Sequence, residues 1–186
     1  MRYMKILAIT GSLRAGSYNR KVAQVAKDIL LDSHPDVTLE ILDWHEVPLF
    51  NQDTEFPTPS SVKKARASVK EADGIWIFTP EYNHSYPGVL KNLLDWLSRP
   101  VNETEGHVLS GKPVAFCGTS IGQSGSSHAQ EHLIQLLSFV NMRIMNSPRL
   151  VLPYIGKLTD SNNNLVLDSS SRYLQRQAEA FIDFIG

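Results

Sequence analysis

The chain predicts a three-layer α/β/α fold around a five-stranded parallel sheet of strand order 2-1-3-4-5. Three observations carry this. Short β-rich apolar runs alternate with longer helical patterns along the whole length, the pattern of right-handed strand–helix–strand crossovers. The first run, Lys5-Ile-Leu-Ala-Ile-Thr10, and the third, Gly74-Ile-Trp-Ile-Phe-Thr79, are apolar with little alternation, as strands covered on both faces are. The length of 186 residues suits five strands better than a full dinucleotide-binding domain and fits a single domain over 1–186.

After the first strand, Asn19 to about Leu31 reads as a helix, with Val22, Val25, Ala26, Ile29 and Leu30 at helical spacing. Val37 to Leu42 alternates and reads as a strand nearer the sheet edge. Residues 43–59 form a long loop with Pro48, Pro57 and Pro59, and Ser60 or Ser61 is placed to cap a helix ending near Ala72. Strand 74–79 follows, then a helix from Gly88 to Ser98 and a strand Pro113-Val-Ala-Phe-Cys117. Residues 127–140 read as a helix, 149–152 as the last strand, Asp160 to Asn164 as a turn, and 170–185 as the final helix.

Bulk properties narrow the function. Hydrophobic content of 42% and charged content of 20% are those of an ordinary globular protein. A net charge of −1 gives no general attraction to nucleic acid or anionic membrane. The one cysteine, Cys117, excludes an internal disulfide and lies in an apolar run, which reads as buried and inert. Residues 1–9 are too short for a secretory leader, and no apolar stretch reaches the roughly 20 residues of a membrane helix. The expectation is a cytoplasmic protein that takes small-molecule partners.

In the 2-1-3-4-5 order the first, third and fourth strands end side by side, at the switch point where open sheets bind ligands. The loops leaving them are 11–19, 80–87 and 118–127, and each carries unusual chemistry. In the first, Ser12, Arg14, Ser17 and Asn19 offer hydroxyls, a guanidinium and an amide just ahead of a helix whose free N–H groups favour an anion. Arg14 has the fork geometry to grip a phosphate. A capped helix start with a solvated Arg14 is the plain alternative. A P-loop lacks its Gly-Lys-Ser/Thr ending, and a Rossmann fingerprint lacks its third glycine. In the second loop, Pro80 fixes the chain as it leaves the strand, and Pro87-Gly88 sets up the next helix. Glu81, Tyr82 and Asn83 between them offer backbone N–H groups and an aromatic ring to a flat heteroaromatic ligand. An ordinary turn is the alternative here. Phosphate loop and ring loop together point to flavin mononucleotide (FMN).

The motifs Gly-Ser-x-Arg-x-x-Ser-x-Asn at 11–19 and Pro-Glu-Tyr-Asn-x-Ser-x-Pro-Gly-x-Leu-Lys-Asn-x-Leu-Asp-Trp at 80–96 resemble the NADPH-dependent FMN reductases. These are flavodoxin-like proteins that include quinone, chromate and azo-dye reductases. The resemblance implies Ser12, Arg14, Ser17 and Asn19 as phosphate ligands and Pro80, Glu81, Tyr82 and Asn83 as ring contacts, with Ser120 and Gly122 added from the third loop. It implies NADPH or NADH as co-substrate, no catalytic side chain, and a homodimer or homotetramer with FMN at the subunit interface. The third loop departs from the family pattern Ser-x-Gly-x-x-Gly-Gly, ending in Ser126. The helix carrying Leu90, Leu93, Leu94 and Trp96 is either a subunit contact or part of the chain's own core.

The expected activity is passage of hydride from NAD(P)H through FMN to a quinone, free flavin, dye or metal oxyanion. A flavodoxin-like electron carrier or flavin-binding module is the alternative, against which the near-neutral charge and Arg14 both argue. Two other motifs resemble catalytic patterns. Gly118-Thr-Ser-Ile-Gly122 matches a hydrolase nucleophile elbow, but no histidine follows His132 to complete the triad order. His128-Ala-Gln-Glu-His132 matches a zinc pattern without an evident third ligand; solvent-facing histidines at a helix start account for it better, and no metal site is expected.

Overall fold

A computed structural model describes residues 3–162 and 164–186. Met1 and Arg2, at the head of the leader reading, and Asn163, inside the expected 160–164 turn, lie outside the described residues. The elements are β1 (Met4–Thr10), α1 (Tyr18–Ser33), β2 (Val37–Ile41), α2 (Ser60–Glu71), β3 (Gly74–Thr79), α3 (Gly88–Leu97), β4 (Pro113–Thr119), α4 (Ser127–Phe139), β5 (Arg143–Ile144), β6 (Leu150–Leu152) and α5 (Ser171–Ile185). All pairings are parallel, in the order β2-β1-β3-β4-β5, with β6 also on β4.

Side chains alternate across the three central strands, as the two-residue period of a strand requires. Ile6, Ala8, Trp76, Phe78, Ala115 and Cys117 pack against α1 and α5, through Val22, Ala26, Leu30, Leu174 and Phe181. Leu7, Ile9, Ile75, Ile77, Val114 and Phe116 pack on the opposite face with α3 and α4, through Leu90, Leu93, Leu94, Leu133 and Leu137. The α3 residues and Trp96 are therefore core, which settles the choice left open for that helix. Cys117 is fully buried, and burial pushes its thiol well above the usual range, so it is inert at neutral pH.

Two local expectations are corrected. Neither Ser60 nor Ser61 caps α2; the helix starts at Ser60, and the N-cap position is Pro59. The strand expected at 149–152 is present as β6, but the edge is two short strands rather than one, with the unexpected β5 ahead of it. β5 pairs with Pro113 and Val114, β6 with Cys117 to Thr119, and the chain leaves the ladder between them. Pro148 has no N–H to donate to a ladder. Gln177 of α5 fills the gap, its side-chain amide donating to the carbonyls of Phe116 (3.1 Å) and Pro148 (2.8 Å).

The 43–59 loop is strapped to α3 by polar groups of that helix. The Asn92 side chain accepts from the Phe50 N–H (2.7 Å) and donates to the Pro48 carbonyl (2.9 Å). Trp96 Nε1 donates to the same carbonyl (2.8 Å). Glu55, 4% exposed, receives a two-pronged ion pair from Arg99 at 2.9 and 3.1 Å. Asn92→Ala removes both amide bonds and leaves the Phe50 N–H to find water. We expect a loss of about 1–3 kcal/mol, read as a lower denaturation midpoint at unchanged slope.

Candidate functional site

The carboxyl ends of β1, β3 and β4 lie side by side, and their loops enclose a half-open cleft of about 360 Å³, within the range of small-molecule sites. Its wall contains Ser12, Arg14, Ser17, Asn19, Pro80, Glu81, Tyr82 and Ser120. Eight of the ten residues expected at the site are thus brought together; Asn83 and Gly122 stand on the same loops outside this wall. Tyr18, Thr119 and Ile121 complete the lining and were missed. Ile121, 78% exposed on a polar loop, had a sequence signal: a branched apolar side chain among serines and glycines.

The first loop is built as a helix start. Ser17, buried, is the N-cap of α1, its hydroxyl accepting from the Arg20 N–H (3.3 Å). The first-turn N–H groups beyond it have no intrahelical partner, and no acidic residue stands in that turn to neutralise them. Arg14 Nη2 donates to the Gly16 carbonyl (2.8 Å), and its guanidinium lies 5.5 Å from the Tyr18 ring centre. Ser12 Oγ accepts from the Arg14 N–H at 3.4 Å. The Asn19 side chain, buried, turns away to bind both backbone groups of Thr119, donating at 3.2 Å and accepting at 3.1 Å. Its amide thereby joins the first loop to the third at the wall of the cleft.

The second loop is a tight hairpin turn. Tyr82 and Ser85 exchange backbone hydrogen bonds of 2.9 and 3.0 Å. The residues between, Asn83 and His84, both have positive φ, at 51° and 61°, the pattern of a type I′ turn. The Glu81 side chain reaches across to the third loop. It accepts from Ser124 Oγ (2.7 Å), the His128 N–H (2.9 Å) and the Ala129 N–H (3.3 Å) at the start of α4. Burial opposes its ionisation, but these three hydrogen bonds outweigh that and hold the carboxyl below its usual range.

The third loop ends in Ser126, whose φ of 139° belongs to glycine's territory. Its buried hydroxyl accepts from Gln130 Nε2 (3.2 Å), which also donates to the Leu150 carbonyl (2.8 Å). A Cβ on Gly118 would meet this hydroxyl and the Thr79 carbonyl, each at 2.2 Å. The hydroxyl of Ser120 donates to the Gly122 carbonyl (3.4 Å), and the zinc pattern does not assemble. Glu131 pairs with Arg149 (2.5 Å), and His132 Nδ1 meets Ser85 Oγ (3.0 Å).

A parallel sheet of this order with a ligand-sized cleft at its switch point defines a flavodoxin-like protein. Residues 4–157 match the family model described as NADPH-dependent FMN reductase. The chain is 36% identical over 172 residues to a 2-hydroxy-1,4-benzoquinone reductase of a Burkholderia species, covering 92% of this chain and 91% of that one. It is 35% identical over 185 residues to a quinone reductase of Escherichia coli K12, covering 98% and 95%. Among solved structures it is similar to FerB, a flavoenzyme NAD(P)H:(acceptor) oxidoreductase from Paracoccus denitrificans, with a TM-score of 0.85, 29% identity and coverage of 98% and 97%. The chain belongs to the NADPH-dependent FMN reductase family. Among the described residues no helix is long and apolar enough to cross a membrane.

Glu81 supplies a pH test of the loop junction. Its folded-state pKa lies below the unfolded value, so its contribution is present at neutral pH and is lost as pH falls through the folded value. Glu81→Gln should cost about 1 kcal/mol at pH 7. The wild-type and variant denaturation curves should converge below the ordinary glutamate range.

Proposed function

We propose that the chain is one FMN-binding domain over residues 1–186. It acts as a cytoplasmic FMN-dependent NAD(P)H oxidoreductase that reduces a quinone-class acceptor by a ping-pong scheme. The observation that carries this is the single cleft in which the Arg14 loop and the Pro80–Tyr82 loop face each other.

The donor set fits the cofactor. Arg14, Ser12, Ser17 and the first-turn N–H groups of α1, that of Asn19 among them, form an anion site for the phosphate. Pro80, Glu81, Tyr82 and Asn83 offer backbone to the polar edge of the ring, and Ser120 and Gly122 stand at its third side. Bound there, FMN supplies a reversible hydride carrier between the nicotinamide and the acceptor. The protein's part is to orient the ring and bias its potential through backbone donors; no side chain is needed as acid or base. Tyr82 is half exposed, leaving the rim of the cleft open for donor and acceptor to take turns. The quinone class follows the names of the relatives; free flavin, azo dyes and metal oxyanions are further acceptors in reach of the same open rim. A homodimer or homotetramer completes the reading. A groove of about 510 Å³ between α3 and α4, edged by Phe139 at 89% exposure, is the surface that supports it.

FMN added to the purified protein, followed by NADPH without air, tests the reading. The flavin band should bleach within seconds and return when a quinone is added. Bound flavin that stays oxidised would make the protein an electron carrier. Arg14→Ala should weaken FMN binding about 10- to 150-fold, the equivalent of roughly 1.5–3 kcal/mol for a charge-assisted contact, read by fluorescence titration.

A further inference from the structure

The turn that carries Tyr82 places His84 against the start of α4. The His84 and His128 rings lie 4.6 Å apart between centres and 36° from parallel. One ring nitrogen from each, together with a Glu81 carboxylate oxygen, lie within 4.8 Å of one another. We propose that Glu81, His84 and His128 form a three-ligand site for a divalent transition-metal ion of the zinc type, with a remaining position for water or a ligand.

The chemistry of the donors fits. Two imidazoles and one carboxylate, with a fourth position open, is a donor set that zinc takes. Tetrahedral bonds of about 2.0–2.2 Å bring neighbouring donors to about 3.4 Å, so donors up to 4.8 Å apart must close by up to about 1.4 Å. Both histidines are exposed, and rotation of their rings supplies that movement. Glu81 can take part without leaving its present partners. A carboxylate has about four acceptor positions; Oε2 uses two on the His128 and Ala129 N–H groups, and Oε1 uses one on Ser124. One position on Oε1 remains. These bonds also hold the carboxylate still, as a ligand's supporting shell does.

The backbone at His84 adds an independent reason. The second central position of a type I′ turn is most often glycine, yet here a histidine sits at φ 61° with its ring on His128. A side chain kept at a strained position is a pointer to a role for that side chain. The nearby groups do not compete: Glu131 is paired with Arg149, and His132 Nδ1 with Ser85. The site does not rest on the flavin reading, since its donors all come from the protein.

Flavin-free protein titrated with Zn²⁺ against a chromophoric chelator, and with Co²⁺ for its visible bands, tests this. We expect one equivalent bound, with tetrahedral cobalt absorption. His84→Ala and His128→Ala should each weaken binding at least tenfold and remove the cobalt bands. His84→Gly keeps the turn and should lose the metal equally, separating ligation from backbone support. His45→Ala, at an exposed histidine paired with Asp43, should bind as wild type. Wild-type affinity in both His84→Ala and His128→Ala, or loss of binding in His45→Ala, would overturn the assignment.

Discussion

The site depends on three buried strands, β1, β3 and β4, lying side by side in parallel. Parallel pairing sends every crossover helix over a face of the sheet, so the loops leaving the carboxyl ends lead into helices and are not tied into tight hairpins between neighbouring strands. They are free to carry polar groups. The strands beneath them expose almost nothing, so the loops are set on a base that does not give. Arg14, Tyr82 and Ser120 are far apart in sequence and face one cleft for this reason alone.

What keeps the loops in fixed relation is a pair of polar ties made by residues that look like ligands. Asn19 clamps Thr119 across 100 positions of chain, and Glu81 holds the start of α4. Both bonds are made to backbone groups that are otherwise costly to leave unpaired near the core. The first loop is thereby fixed to the third, and the third to the second. A ligand entering the cleft meets a largely preorganised wall and has little ordering left to impose.

Much of this was legible in the sequence. The strand order followed from the alternation of apolar runs with helical patterns, and the two long motifs located the cleft. What was not legible depended on which partner a polar group chooses. Asn19 and Glu81 carry the same donors and acceptors whether they face a ligand or a backbone, and only the fold decides. The split edge strand was hidden because its cause is shared between Pro148 and Gln177, 29 positions apart. A turn in this loop was an open alternative, but its type I′ form at Asn83-His84 was not legible because such a pair usually advertises itself with glycine. Arg149, read only as the head of a strand, turned out to hold Glu131, which removes that residue from its apparent zinc pattern.

The close approach of Gly118 and Ser126 couples what the two positions can carry. A side chain at 118 would strike the Thr79 carbonyl whatever stands at 126, so 118 is closed to substitution. The room that this enforced glycine leaves is where the Ser126 hydroxyl now sits. Position 126 has thus inherited a small polar niche, lined by Gln130, that admits a hydroxyl and little more. Position 126 therefore has room for glycine, serine and little larger, whereas Ile121 on the same loop is exposed and unconfined.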